Sequence, residues 1–111
     1  MQELTSRQDA DAAFGCEASI IFKHSTQCPI SANARREMDS FTSGGEPVPV
    51  YMLDVNGQRE LSDYVAERTG IEHQSPQVVL LRDGSPKWHA SRFDISASSL
   101  REQLGLATRG G

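Results

Sequence analysis

Strand-like and helix-like segments alternate along this chain, and that alternation limits its possible folds more than any other feature. Residues 18–24 open with Ala18-Ser19-Ile20-Ile21-Phe22, an apolar run that reads as a strand. Residues 29–41 follow with Ile30, Ala34, Met38 and Phe41 at helical spacing. Ser43-Gly44-Gly45-Glu46-Pro47 breaks that helix, and residues 48–55 form a second strand with Pro49 near its start. Residues 59–69 read as a helix stopped by Gly70. Residues 77–81 are a third strand, Asp83-Gly84 is a hairpin signal, and residues 87–91 return as a fourth. A short helix over 9–14 precedes this series. A last helix over 96–104, capped by Asp94 or Ser96, closes it.

The order is α-β-α-β-α-β-β-α. Strands joined through long helices are expected to run parallel with right-handed crossovers, and the hairpin adds one antiparallel strand. A mixed four-stranded sheet with helices on both faces is the α/β thioredoxin fold. The 111 residues make one domain, residues 1–111, with residues 1–4 and 106–111 expected to be flexible. A net charge of −4 without a basic stripe argues against nucleic acid as a partner. The polar start of the chain is no signal peptide, and no apolar run approaches the roughly 20 residues needed to span a bilayer. Two cysteines are too few for a disulfide-stapled secreted scaffold, so a reducing cytoplasm is the expected compartment.

Chemistry concentrates at the seam between the first long strand and the helix after it. The polar stretch His24-Ser25-Thr26-Gln27 leads into Cys28-Pro29-Ile30-Ser31. A cysteine at a helix N-terminus faces unpaired N–H groups and the positive end of the dipole, which can lower its pKa to roughly 3.5–7.5. Pro29 suits the first helical position. Cys28 is therefore the expected nucleophile, with Thr26, Pro29 and Ser31 supporting it. Ser31 stands where a dithiol oxidoreductase has its second cysteine. It can donate an O–H to a thiolate, but it cannot close a disulfide. Its alternative reading is an ordinary first-turn serine.

Ser75-Pro76 precedes the third strand, where a cis proline fits a turn. In the thioredoxin fold such a proline faces the active cysteine, and the Ser75 backbone is free to pair with an extended substrate. His73 and His24 could each stabilise a thiolate or move a proton as imidazolium; as isolated histidines, both also read as bystanders. Cys16 lies at the far end of a strand about 20 Å long and reads as an unrelated thiol. Two distant cysteines and three scattered histidines give no metal-binding spacing. Trp88 reads as a packing residue.

Lys23-His24-Ser25-Thr26-Gln27-Cys28-Pro29-Ile30-Ser31 resembles the active-site segment of the monothiol bacilliredoxins. Leu53-Asp54-Val55, His73-Gln74-Ser75-Pro76-Gln77 and Trp88-His89-Ala90-Ser91 extend the resemblance over roughly residues 5–104. It implies a thioredoxin fold, Cys28 as the thiol that removes bacillithiol from S-thiolated client proteins, and Pro76 as the cis proline. It also implies a small thiol, bacillithiol, as co-substrate and no bound cofactor. The chain departs from dithiol thioredoxins, which carry Trp where Gln27 stands. It also lacks the Cys-Gly-Phe-Ser and Gly-Gly-x-x-Asp motifs of monothiol glutaredoxins. The competing readings are a thiol- or cluster-binding carrier without turnover and an interaction module with a vestigial cysteine.

Overall fold

The computed structural model describes residues 1–25, 29–43 and 48–109, the last four by their backbone alone. Its elements are β1 (Gln2–Glu3), α1 (Arg7–Phe14), β2 (Ala18–His24), α2 (Pro29–Ser43), β3 (Val50–Asp54), α3 (Arg59–Thr69), β4 (Gln77–Arg82), β5 (Ser85–Ser91) and α4 (Ala97–Arg109), with a 3-10 turn at Arg92–Asp94. The strands lie in the order β1-β3-β2-β4-β5. Central β2 pairs parallel with β3 from Ile20↔Val50 to His24↔Asp54, and antiparallel with β4 from Ala18↔Arg82 to Lys23↔Gln77. The β4–β5 hairpin turns at Asp83 and Gly84, both at positive φ, and carries a register shift at Leu80/Leu81. A Cβ on Gly84 would stand 2.8 Å from the Phe14 carbonyl oxygen, so glycine is needed there for close approach as well as for its φ of 80°.

Two expectations are corrected. The sheet has five strands, not four, and the fifth comes from the start of the chain, which was expected to be flexible. Gln2 and Glu3 pair parallel with Tyr51 and Met52, and Leu4 donates its N–H to the Met52 carbonyl at 2.8 Å. Leu4 is 1% exposed, packed in one layer of the core with Tyr51 and Leu53. One buried leucine anchors a strand too short to show any periodicity. The second correction concerns direction. β4 runs antiparallel to β2, and hence to β3, although a long helix joins β3 to β4. Both the first turns of α3 and the loop that follows it line one cavity with Ser25, so the connection returns to the sheet end it left.

The period-2 alternation of β2 and β4 sorts the core into two layers. Ile20, Phe22, Val78 and Leu80 face α2 and α4, meeting Ala34, Met38, Phe41, Leu100 and Leu104. Ile21, Val79 and Leu81 face α1 and α3, meeting Ala13, Phe14, Leu61 and Val65. Half-buried Trp88 packs against the first layer, as its reading as a packing residue expects. The Glu37 carboxylate accepts the Ala97 N–H at 3.0 Å and ties α2 to the start of α4. Ser96, rather than Asp94, caps α4: its Oγ accepts the Ser99 N–H at 3.1 Å. The α4 backbone stays helical through Arg109, past the fraying expected from residue 106.

Candidate active site

The pairs His24↔Asp54 and Lys23↔Gln77 bring the end of β2, the end of β3 and the start of β4 to one edge of the sheet. A tight turn follows β3. The Asp54 carbonyl accepts from Gln58 N at 2.8 Å, and its carboxylate accepts from Asn56 N at 3.0 Å. Val55 N donates to the His24 carbonyl at 2.9 Å, and Ser25 Oγ donates to Asn56 Oδ1 at 3.2 Å, which ties the chain after β2 to this turn.

On the other side of the sheet Pro29 opens α2. Ser31 is 3% exposed, and its Oγ accepts the Ser25 N–H at 3.1 Å. That bond uses a lone pair and leaves the hydroxyl proton available to donate. The Ser75-Pro76 bond is cis, as expected. The β4 ladder begins after it, at Gln77, and the Pro76 carbonyl is already taken by Arg92 N at 3.0 Å. Cys28 and Thr26 lie outside the described residues.

Ser25, Val55, Asn56, Arg59, Ser62, Asp63, His73 and Ser75 line a cavity of about 610 Å³. Two sequence-distant segments expected to act together, 24–31 and 73–76, thus meet through Ser25, His73 and Ser75. The Ser75 Oγ is buried and has no hydrogen-bond partner among the described residues.

Behind this wall sits Lys23, 1% exposed, whose ammonium donates to the Ser62 carbonyl at 3.2 Å. Burial pulls its pKa down to about 8, and the Asp63 carboxylate partly opposes that. His73 Nδ1 is 3.1 Å from Ser62 Oγ; burial first, and Lys23 second, hold its pKa below the ordinary value, against Asp63. His24, 7% exposed, turns to the α2 face instead. It stacks on Phe22 with centroids 5.5 Å apart, and its Nε2 has no partner among the described residues. Burial lowers its pKa, with Arg35 adding to this and Asp54 and Glu3 opposing. Both imidazoles are therefore neutral at neutral pH. A neutral imidazole offers one ring nitrogen as donor and the other as acceptor.

Lys23, Asn56, Arg59, Ser62 and Asp63 escape sequence reasoning as site residues. For Lys23 a signal existed: it stands in phase with Ser19 and Ile21, on the inward face of an apolar strand. The α3 residues carry none, since a polar first turn looks the same whether it lines a cavity or bulk water. Cys16 lies beyond the opposite end of β2, its Sγ donating to the Ala12 carbonyl at 3.3 Å and 3.8 Å from Tyr51 Oη. Among the described residues, no group of three or more His, Cys, Asp or Glu side chains could hold a metal, and no helix is long and apolar enough to cross a membrane.

The thioredoxins of Fasciola hepatica and Trypanosoma brucei brucei superimpose on this chain with TM-scores of 0.74 and 0.76 at 16% and 13% identity. These matches cover 95% and 96% of this chain and 97% and 89% of theirs, and they establish the fold alone. A solved structure described provisionally as an oxidoreductase with a thioredoxin fold is nearer: 33% identity and a TM-score of 0.87, over 93% of this chain and 92% of that one. The architecture and this nearer structure define a thioredoxin-fold oxidoreductase. Residues 2–100 match the family model of the monothiol bacilliredoxin BrxC, and the chain belongs to that family. A thiol redox role follows from the membership.

Proposed function

We propose that the protein is a monothiol disulfide reductase that takes a small thiol, bacillithiol, off S-thiolated client proteins through Cys28. The observation that carries this reading is Ser31, in the fourth position of Cys28-Pro29-Ile30-Ser31, buried in the first turn of α2 with its oxygen on the Ser25 N–H. No second thiol stands there, and Cys16 belongs to the other end of β2. Cys28 precedes the first residue of α2, a sequence position at which first-turn N–H groups favour thiolate over thiol.

In the first step the Cys28 thiolate attacks the small-thiol sulfur of the client's mixed disulfide. A Cys28–small-thiol disulfide forms, the old S–S bond breaks, and the client sulfur leaves as thiolate and takes a proton from water. In the second step a free small thiolate attacks the sulfur of the small thiol held on Cys28. It leaves as a small-molecule disulfide and regenerates the Cys28 thiolate. A lowered Cys28 pKa aids both steps, as attacking group and as leaving group. Ser75, just ahead of the β4 ladder, offers its backbone to an extended client, and Pro76 closes that side. The small thiol is the co-substrate, and the cycle uses no bound cofactor.

The test is a turnover count on a bacillithiolated client protein. The protein releases one equivalent of client thiol per Cys28 without added small thiol, and many equivalents with it. Cys28→Ala abolishes release, and Cys16→Ala retains it. Multiple turnovers without any added thiol would show a resolving group within the chain and overturn the reading.

A further inference from the structure

We propose that Phe93 is a specificity residue for client proteins, selecting those with an apolar side chain one or two residues from the thiolated cysteine. This deepens the client role proposed above and rests on it. Among the described residues, Phe93 and the terminal Met1 are the large apolar side chains left exposed, Phe93 by 73%. Phe93 sits in the 3-10 turn between β5 and α4. Ala90 before it and Ile95 after it are both buried in the core layer under α2 and α4. Those two take the inward positions, and the ring between them is left to solvent. The turn is held in this shape against the preference of its own backbone. Arg92 has a φ of 55°, in the left-handed region that a non-glycine residue enters against its side-chain sterics. Two backbone bonds fix it there: Arg92 N donates to the Pro76 carbonyl at 3.0 Å, and Ile95 N donates to the Arg92 carbonyl at 3.3 Å. A loop that only joined β5 to α4 would gain from glycine at this position. Strain kept at the edge of a reactive site points to a constraint from function.

Position ties the ring to the client. The pair Gln77↔Ser91 closes the β4–β5 ladder at the edge where β2 ends. Counting on from that pair, Arg92 is level with Pro76, to which it is hydrogen-bonded, and Phe93 is one residue further toward the level of Ser75. The same turn packs against α2, whose first residue follows Cys28. A client strand on the Ser75 backbone therefore runs beside the turn, its residues spaced about 3.3 Å apart. One of its side chains meets the ring while the client cysteine stands at Cys28. The other flank of Pro76 supplies little apolar contact: apart from Val55, its cavity is lined by polar groups such as Asn56, Arg59, Asp63 and His73. Apolar contact with a client thus falls to Phe93. Arg92 and Asp94, both exposed, flank it with opposite charges, so the turn favours clients of neither net charge.

The experiment uses short peptides, each with one S-bacillithiolated cysteine and a single Leu one or two residues before or after it. The parent peptide has Ser at each of these positions. Release of peptide thiol is followed in a single turnover, and each second-order rate is divided by that of the same peptide with dithiothreitol. At least one Leu peptide exceeds the parent by about fivefold, the scale of partly burying one leucine. Phe93→Ser brings that ratio close to one, Phe93→Leu keeps most of it, and Lys87→Ser, an exposed change elsewhere on β5, leaves it unaltered. An equal ratio in the wild type and Phe93→Ser overturns the assignment. A second arm needs no thiol chemistry. The same peptides with Ser in place of cysteine are titrated to millimolar concentration, and at least one Leu peptide shifts the amide resonances of Phe93 and Asp94 more than the parent does. If no peptide is released while the titration succeeds, the Cys28 cycle fails and the Phe93 contact stands. If peptides are released at equal normalised rates while those amides stay still, the contact fails and the cycle stands. Sedimentation that shows a dimer in the wild type and a monomer in Phe93→Ser assigns the ring to a second copy of the chain and overturns the proposal.

Discussion

Lys23 and His24 are neighbours on one strand, both buried and both titratable, yet they face opposite layers and are treated differently. Lys23 points to α3 and meets the Ser62 carbonyl and the field of Asp63. His24 points to α2, lies against Phe22 and leaves Nε2 without a partner among the described residues. The contrast follows from the charge each would have to carry. A neutral imidazole can be buried at modest cost, so it needs no counter-charge. An ammonium under the same cover survives only with acceptors and an anion nearby, and even then its proton is loosened.

Removing the ammonium is the strongest way to break this comparison. A fall from 10.5 to about 8 corresponds to about 3 kcal/mol held against the folded state at pH 7. The sign follows from proton counts: between these values the unfolded chain holds the proton more tightly, so wild-type stability rises with pH across that window. Lys23→Met removes the ammonium's hydrogen bond to the Ser62 carbonyl, which offsets part of the gain. The net expectation is a stabilisation of about 1–3 kcal/mol at pH 7. Urea unfolding measured from pH 7 to 10.5 should show the gap to wild type closing above pH 8. A Lys23→Met protein less stable than wild type at pH 7 would mean that the ammonium is net favourable where it sits.

A smaller effect comes from the counter-charge. Asp63 is exposed, so Asp63→Asn should cost up to about 1 kcal/mol at neutral pH. It should also lower the Lys23 pKa further, as read by side-chain NMR titration. The cost should vanish in the Lys23→Met background, and its persistence there would remove Asp63 as the partner of Lys23. The smallest effect belongs to the other face. His24→Phe keeps the stack on Phe22 and deletes the unpartnered nitrogen, so stability at pH 7 should stay within about 0.5 kcal/mol of wild type. The difference appears in acid. With the folded pKa of His24 below 6.5, wild-type stability is full above 6.5 and is lost as pH falls through the folded value. His24→Phe should lose less over that range, the remainder belonging to groups such as His73, whose pKa is lowered in the same direction.

Much of this architecture can be read from the residues because it is written in local chemistry. Arg59–Thr69 begins and ends where the pattern puts it, and Gly70 stops it at a φ of 70°. The hairpin at Asp83-Gly84 and the cis Ser75-Pro76 bond likewise follow from residue types that allow few alternatives. What escapes depends on tertiary placement. β1 is held by one leucine finding one site, and the direction of β4 depends on where α3 and its following loop return. The cavity exists because Ser25, α3 and the residues before Pro76 converge, and no single segment announces that. Ser31 was legible as a non-thiol from its identity alone, whereas its bond to Ser25 required the fold.

β5 forms one margin of the sheet, its residues alternating between exposed and half-buried from Ser85 to His89. Pro86 stands in it opposite Leu81, beside the register shift, and Lys87 follows. A proline offers no N–H, a lysine resists being covered by a neighbouring chain, and a bulge bends the strand away from flatness. That margin is poorly suited to recruiting another strand, so crowded copies of the protein have little means of stacking into a continuous sheet through it. Colloidal restraint is thus written into the hairpin, at the opposite side of the sheet from the β1 margin.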